Sequence, residues 1–238
     1  MHSTAPAFLA PLTGISSMAT RLLLAELTAA YTERTGQVIH ITSVGGVDAA
    51  RRVQQGEALD VVILASDAID RLVTSGHLRG ASKVDLVFSG VAVAVCAGTP
   101  PPDITSEEAL RQAVLAAPTL GYSTGPSGVA LARLFDRWGI ADQIKDRIVT
   151  APPGVPVASL VAQGTVALGF QQLSELIHVV GISIVGPLPP AIQITTTFSA
   201  AVTTTSTRVS DVCALLAFMA SPEAAAAKRR QGMEPCVI

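Results

Sequence analysis

The residues that could bind a ligand are hydroxyls, amides and glycines, and they occur in five short loops beside predicted strands and helices. The positions that we expect to contact a ligand are Ser16, Ser17, Gly45, Gly46, Val47, Ser123, Thr124, Gly125, Gly154, Val155 and Gln172. Backbone N–H groups at a helix start can bind an anion without lysine or arginine. The loops therefore predict a site for a small oxyanion or carboxylate.

Arg51 is the basic residue nearest to these loops, one turn into the second predicted helix. Its guanidinium group could clamp a ligand carboxylate. Alternatively it lies on a solvated helix face and pairs with Asp48 at helical spacing. The sequence leaves both interpretations open.

Several other chemistries do not fit the loops. The segment Ser123–Gly128 lacks the Gly-Lys-Ser/Thr ending of a phosphate loop, and the chain has no Gly-x-Ser-x-Gly elbow. The three cysteines and four histidines lack metal-ligand spacing, so we expect neither a metal nor a cofactor. Apart from Asp48 the loops hold no strong acid or base, which leaves Tyr122, Ser123 and Ser17 as weak candidates. The catalytic residue, if there is one, stays unassigned.

Strands and helices alternate along the chain, which predicts parallel sheets with ligand loops at the carboxyl ends of the strands. Two long extended segments, at 83–97 and 183–206, predict crossovers between two lobes. We expect the first lobe to comprise 1–87 plus 197–238 and the second 88–196. A ligand cleft between the lobes would bring the five loops together.

Composition narrows the class of protein. Hydrophobic residues make up 49% of the 238 residues and charged residues 14%, yet no uncharged apolar stretch reaches about 18 residues. We therefore expect buried strands and no membrane insertion. Dispersed lysines and arginines with a net charge of −2 argue against binding to nucleic acid.

The first residues lack the basic start and apolar core of a secretory signal. We expect a cytoplasmic protein if Met1 is the native start, and a periplasmic one if the chain was trimmed.

Three parts of the chain resemble the molybdate-type periplasmic substrate-binding proteins of ABC transporters. They are Tyr31–Gly36 with Ser43–Gly46, Gln54–Gly56 with Asp60–Ala65, and Val161–Phe170. The resemblance implies the α/β type II periplasmic-binding fold, in which two lobes, each a mostly parallel sheet flanked by helices, are joined by two crossover strands. It also implies an oxyanion bound between lobes by hydroxyl and N–H groups, and a permease partner if the protein is exported.

Three loops depart from that family's pattern. In the first loop, the spacing to Tyr31 places Ala19 nearer to the family's serine than Ser16 or Ser17. Gly45-Gly46-Val47 replaces a hydroxyl, and Gln172 replaces a tyrosine, which favours a larger polycarboxylate over molybdate. A divergent branch of the family resembles aconitate isomerase, which moves a double bond by proton transfer. Three hypotheses stay open: a small-anion binding protein, an isomerase of an unsaturated polycarboxylic acid, and a ligand-sensing domain that acts on a partner protein.

Overall fold

The computed structural model describes residues 10–152 and 155–236. Within these ranges the strands are β1 (Leu12–Ser17), β2 (Ile39–Val44), β3 (Val61–Ala65), β4 (Val84–Cys96), β5 (Leu120–Tyr122), β6 (Ile148–Thr150), β7 (Leu168–Gln172), β8 (Ile182–Pro187), β9 (Thr195–Val202) and β10 (Glu234–Pro235). The helices are α1 (Arg21–Thr35), α2 (Gly46–Gln54), α3 (Ser66–Thr74), α4 (Glu107–Ala116), α5 (Pro126–Arg137), α6 (Ala141–Ile144), α7 (Val157–Ala162), α8 (Leu173–Leu176), α9 (Val209–Ala220) and α10 (Ala225–Arg230).

The chain divides into two compact units. The described part of unit 1 comprises residues 10–86 and 199–227. The described part of unit 2 comprises residues 87–152, 155–198 and 228–236. The boundaries fall inside β4, β9 and α10, so each of these elements continues from one unit into the other.

Unit 1 is built on a parallel sheet in which β1 lies between β2 and β3, with Ser16 opposite Ser43 and Gly14 opposite Val61. Helix α1 buries Leu23, Leu24, Leu27 and Tyr31, and Gly36 ends it at φ +74°. The apolar faces of α2 and α3 pack on the sheet around Ile15, Val62 and Leu64. This parallel arrangement places the ends of β1 and β2 at one edge, beside the start of α2.

Unit 2 contains the parallel strands β5, β6 and β7, with β5 in the middle. Strand β7 also pairs with β4 in the antiparallel direction, and Val91 lies opposite Gln172. Phe135 fills the core on one face, with ring centroids 5.9 Å from Tyr122 and 6.1 Å from Phe170. Helix α7 covers the other face. The ends of β5 and β7 therefore lie side by side, where Ser123 and Gln172 were predicted to bind.

Four elements differ from the sequence pattern, which predicted helices over 18–34, from 48 and from 129 and one long extended segment at 183–206. Residues 18–20 form a 3-10 turn before α1, because the Ser17 side chain accepts a hydrogen bond from the Ala19 N–H. Helix α2 begins at Gly46, and α5 begins at Pro126, where the fixed φ of proline suits a first helical turn. The long segment at 183–206 breaks into β8, a 3-10 turn and β9, because prolines lack the N–H that a strand needs.

Among the described residues, no single helix has the length and apolar composition to cross a membrane. One pair, Val209–Ala220 and Pro222–Arg230, meets both criteria together but is bent by 56°. The buried side chains of α9 are those of Val212, Leu215, Leu216 and Met219.

Candidate functional site

In unit 1 the predicted ligand residue Ser16 is enclosed in the protein interior. Its side chain is fully buried, and its Oγ lies 2.8 Å from the Oγ of Ser43 on the neighbouring strand. The register of β1 and β2 places the two residues opposite each other. The hydroxyl of Ser16 is therefore used to join two strands, which leaves Ser17 as the half-buried hydroxyl of this loop.

The start of α2 supplies the backbone donors of unit 1. The first intrahelical hydrogen bond runs from the Ala49 N–H to the Gly45 carbonyl, so the N–H groups of Gly46 and Val47 precede the helical ladder. A Cβ built on Gly46 would lie 4.0 Å from the Ser17 Oγ, so these two loops adjoin. The Val47 side chain is 71% exposed. Together Ser17 and the start of α2 form a donor set with the positive end of the helix dipole.

Arg51 lies on the exposed face of the same helix. Its guanidinium group is 2.5 Å from the Asp48 carboxylate, and both side chains are at least half exposed. The sequence allowed two roles for Arg51, a clamp for a ligand carboxylate and an ion pair with Asp48. The structure contains the ion pair. The pairing neutralises the charge that Arg51 would offer to a ligand.

In unit 2 the loop after β5 is held by a close approach of its own backbone. The Oγ atoms of Ser123 and Ser127 are 3.3 Å apart, and Gly125 caps the start of α5. A Cβ on Gly128 would lie only 1.5 Å from the carbonyl oxygen of Ser123. Gly128 is therefore required for the conformation of this loop. In the sequence it was only one of several loop glycines, and nothing distinguished it from the others. Thr124 is exposed.

In the loop before α7, the N–H of Val155 is engaged within the chain: it donates to the carbonyl of Pro152 at 3.0 Å. Gly154 lies outside the described residues. The N–H of Ala158, in the first turn of α7, donates to the side-chain Oε1 of Gln171 at 2.9 Å. Gln171, which was not predicted as a site residue, thus caps this helix from the adjacent strand.

Gln172 ends β7 and is 4% exposed. Its Nε2 donates to the Thr196 Oγ1 at 2.9 Å, and its Oε1 is buried with no hydrogen-bond partner among the described residues. A buried amide oxygen without a partner is unusual in a folded protein. Gln172 therefore combines a fixed position at a strand end with unused hydrogen-bonding capacity.

For two titratable groups of unit 2, Tyr122 and Lys228, burial is the largest cause of a shifted pKa. Burial raises the pKa of the Tyr122 phenol, and Asp136 raises it further, so Tyr122 stays protonated at neutral pH. Burial lowers the pKa of Lys228, whose Nζ has no hydrogen-bond partner in the described structure; Cys236 opposes this shift. Sequence reasoning missed Lys228, although a lysine directly after the alanine run 224–227 was a visible signal.

The donors in both units are neutral hydroxyl, amide and N–H groups. Within the described ranges, no cluster of three or more histidine, cysteine, aspartate or glutamate residues could hold a metal ion. Neutral donors of this kind can stabilise an anion when water is excluded. The donor groups of each unit are thus chemically suited to oxyanions and carboxylates.

Comparisons with known proteins show the family of the chain. Residues 12–234 match the model of the family described as bacterial extracellular solute-binding protein. An aconitate isomerase from Pseudomonas sp. is 38% identical over 232 residues, which cover 94% of this chain and 87% of that protein.

Solved structures share the fold at low sequence identity. The periplasmic molybdate-binding protein of Azotobacter vinelandii aligns with a TM-score of 0.78 at 19% identity, covering 95% of this chain and 99% of that one. The substrate-binding domain of a putative molybdenum ABC transporter from Clostridium difficile gives 0.74 at 16% identity, with the same coverage. These likenesses confirm the predicted type II periplasmic-binding fold. The chain belongs to the bacterial extracellular solute-binding protein family.

Proposed function

We propose that the protein binds a small polycarboxylate and interconverts the isomers of aconitate. The observation that carries this proposal is the 38% identity to an aconitate isomerase over 94% of the chain. The oxyanion receptors with the same fold are less than 20% identical to it. The neutral donors at the strand ends, including the Gln172 amide, suit carboxylate groups.

The reaction is a proton shift along three carbon atoms. A base removes a proton from the methylene carbon, and the electron pair left behind spreads over the allylic system and the adjoining carboxylate. A proton then returns to the former vinylic carbon, so the double bond moves by one position. Donors that face the developing negative charge lower the barrier. Tyr122, which is protonated at neutral pH, is suited to return the proton.

Proton NMR in deuterated water tests the activity directly. We expect purified protein to convert trans-aconitate into cis-aconitate and to introduce deuterium at the methylene carbon. Heat-denatured protein serves as the control for spontaneous exchange. The absence of interconversion above that control would rule out the isomerase.

A second candidate function is that of an oxyanion receptor, which the fold shared with a molybdate-binding protein favours. In that case the start of α2 and Ser17 would bind a tetrahedral oxyanion, and an exported protein would deliver it to a permease.

Thermal unfolding with molybdate, tungstate, sulfate, citrate and both aconitates separates the two functions. A ligand at 100 times its Kd stabilises the folded state by about 2.7 kcal/mol. Stabilisation by the polycarboxylates alone supports the isomerase, and stabilisation by molybdate or tungstate alone supports the receptor.

A further inference from the structure

Two buried side-chain atoms of the unit 2 sheet have no hydrogen-bond partner among the described residues. They are the Oγ of Ser89 on β4 and the Oε1 of Gln172 on β7. Ser89 is 0% exposed and Gln172 is 4% exposed. Leaving such atoms unpaired is costly, so native proteins normally provide a partner from the chain, from water or from a ligand.

The sheet register places both residues on one face. Val91 lies opposite Gln172 in the antiparallel β4–β7 pair. Because side chains alternate along a strand, Ser89 and Val91 point to the same side. Ser89 is then the diagonal neighbour of Gln172, with a Cα separation of about 7–8 Å. One small group hydrogen-bonded to both side chains would satisfy the two unpaired atoms together.

Thr196 holds the other end of the Gln172 amide. The Nε2 of Gln172 is 2.9 Å from the Thr196 Oγ1. A threonine hydroxyl both donates and accepts hydrogen bonds. It can therefore hold the amide in two orientations, one that presents Oε1 and one that presents Nε2. The second orientation offers a donor to an anion while the Thr196 hydroxyl donates to Oε1.

We propose that Ser89 and Gln172 bind one carboxylate group of the ligand, with the amide reversed so that Nε2 and the Ser89 hydroxyl both donate. Thr196 is the positioning residue that makes this orientation of Gln172 available. The proposal rests on the proposed function, because it takes the ligand to be a polycarboxylate. Replacing Ser89 by alanine removes one donor to a charged group, and we expect a loss of affinity of about tenfold or more.

Calorimetric titration with tricarballylate tests the proposal, because this saturated tricarboxylate binds without reacting. We expect Ser89→Ala and Thr196→Val each to raise the Kd about tenfold or more, whereas Thr196→Ser, which keeps the hydroxyl, stays within about twofold of wild type. Ser221→Ala is the matched control, because it removes another buried hydroxyl without a partner in the described residues, in unit 1. Its Kd should equal that of wild type.

Melting temperatures separate a ligand contact from a structural role. Ser89→Ala removes an unpaired buried hydroxyl, so its melting temperature without ligand should equal or exceed that of wild type. Equal tricarballylate affinity in wild type, Ser89→Ala and Thr196→Val would overturn this inference and leave the proposed function standing. A buried water would then be the partner of the two atoms. A wild-type protein that binds neither tricarballylate nor the aconitates would overturn the proposed function, and this inference with it.

Discussion

At the scale of single residues, the candidate binding groups of each unit are backbone N–H groups and neutral side chains. Arg51 pairs with Asp48, and the Ser16 hydroxyl contacts that of Ser43. We therefore expect the ligand selectivity of unit 1 to depend on small differences near Ser17. Gly46 is the most informative position, because it adjoins the Ser17 hydroxyl and carries no side chain.

Gly46→Ser should shift selectivity towards tetrahedral oxyanions. The new Cβ would be 4.0 Å from the Ser17 Oγ, so the backbone has room for a serine beside the existing hydroxyl. A hydrogen bond to a charged group contributes about 1.5–3 kcal/mol, which corresponds to roughly tenfold or more in Kd. Calorimetry should show this gain in the molybdate affinity relative to the citrate affinity.

Gly45→Ser is the matched control for that substitution. A Cβ at Gly45 has no atom within 4 Å, and the position is exposed, so its hydroxyl points to solvent. We expect no change in the ratio of the two affinities. If both variants changed the ratio equally, the proximity of Gly46 to Ser17 would not be the cause.

At the scale of secondary structure elements, the start of α5 and the loop after β5 form one conformational unit. Gly128 lies in the first turn of α5 and contacts the backbone of Ser123, while Ser127 contacts the Ser123 side chain. The helix start therefore fixes the path of the loop that presents Ser123, Thr124 and Gly125. A change at Gly128 must move either the helix or the loop.

Gly128→Ala should destabilise the protein and weaken ligand binding together. The added methyl group would overlap the Ser123 carbonyl, which lies only 1.5 Å from the ideal Cβ position. Overpacking of this kind costs typically about 1–3 kcal/mol, and sometimes more. Urea unfolding and citrate titration measure the two effects.

Gly125→Ala, in the same loop, is the comparison for Gly128→Ala. Its Cβ would be 3.7 Å from the Ser123 Oγ, an ordinary contact, and its φ of −77° suits alanine. We expect its unfolding free energy to stay within about 0.5 kcal/mol of wild type. A Gly128→Ala protein as stable as Gly125→Ala would contradict the close approach described for α5.

At the scale of the whole molecule, Lys228 is an unusual component of the protein interior. Its side chain is fully buried, and its Nζ has no hydrogen-bond partner in the described ranges. Burial lowers the pKa of Lys228 in the folded state, and Cys236 partly opposes the shift. Folding thus makes it easier for the Lys228 amine to lose its proton than it is in the unfolded chain.

The sign of the resulting pH dependence follows from proton linkage. Between the lowered folded-state pKa and the ordinary pKa of lysine, about 10.4, unfolding takes up a proton. The contribution of Lys228 to the unfolding free energy therefore rises as the pH rises through that window. Lys228→Met removes the cost of burying the amine and should stabilise the protein at pH 7 by about 1–4 kcal/mol.

Urea unfolding of wild type and Lys228→Met at pH 7 and pH 9.5 measures this contribution. We expect the difference between the two proteins to be smaller at pH 9.5, because the wild-type penalty fades there. The other titratable groups are the same in both proteins. An equal difference at both pH values would show that the amine is not responsible.

The sequence by itself determined the alternation of strands and helices, and the position and neutral chemistry of the loops that we propose to bind an anion. These depend on local patterns: apolar runs such as Val61–Leu64, glycine pairs such as Gly45-Gly46, and hydroxyls beside helix starts. Such patterns act over a few residues, so they can be read without knowing what packs against them.

Only the tertiary structure decided which of those groups are available to a ligand. Strand register pairs Ser16 with Ser43, 27 positions away, and a turn uses the N–H of Val155. Packing also buries Lys228 and leaves the Oε1 of Gln172 without a hydrogen-bond partner among residues 10–152 and 155–236. The availability of a polar group depends on partners from distant parts of the chain, and those partners are brought together only by the folding of each unit.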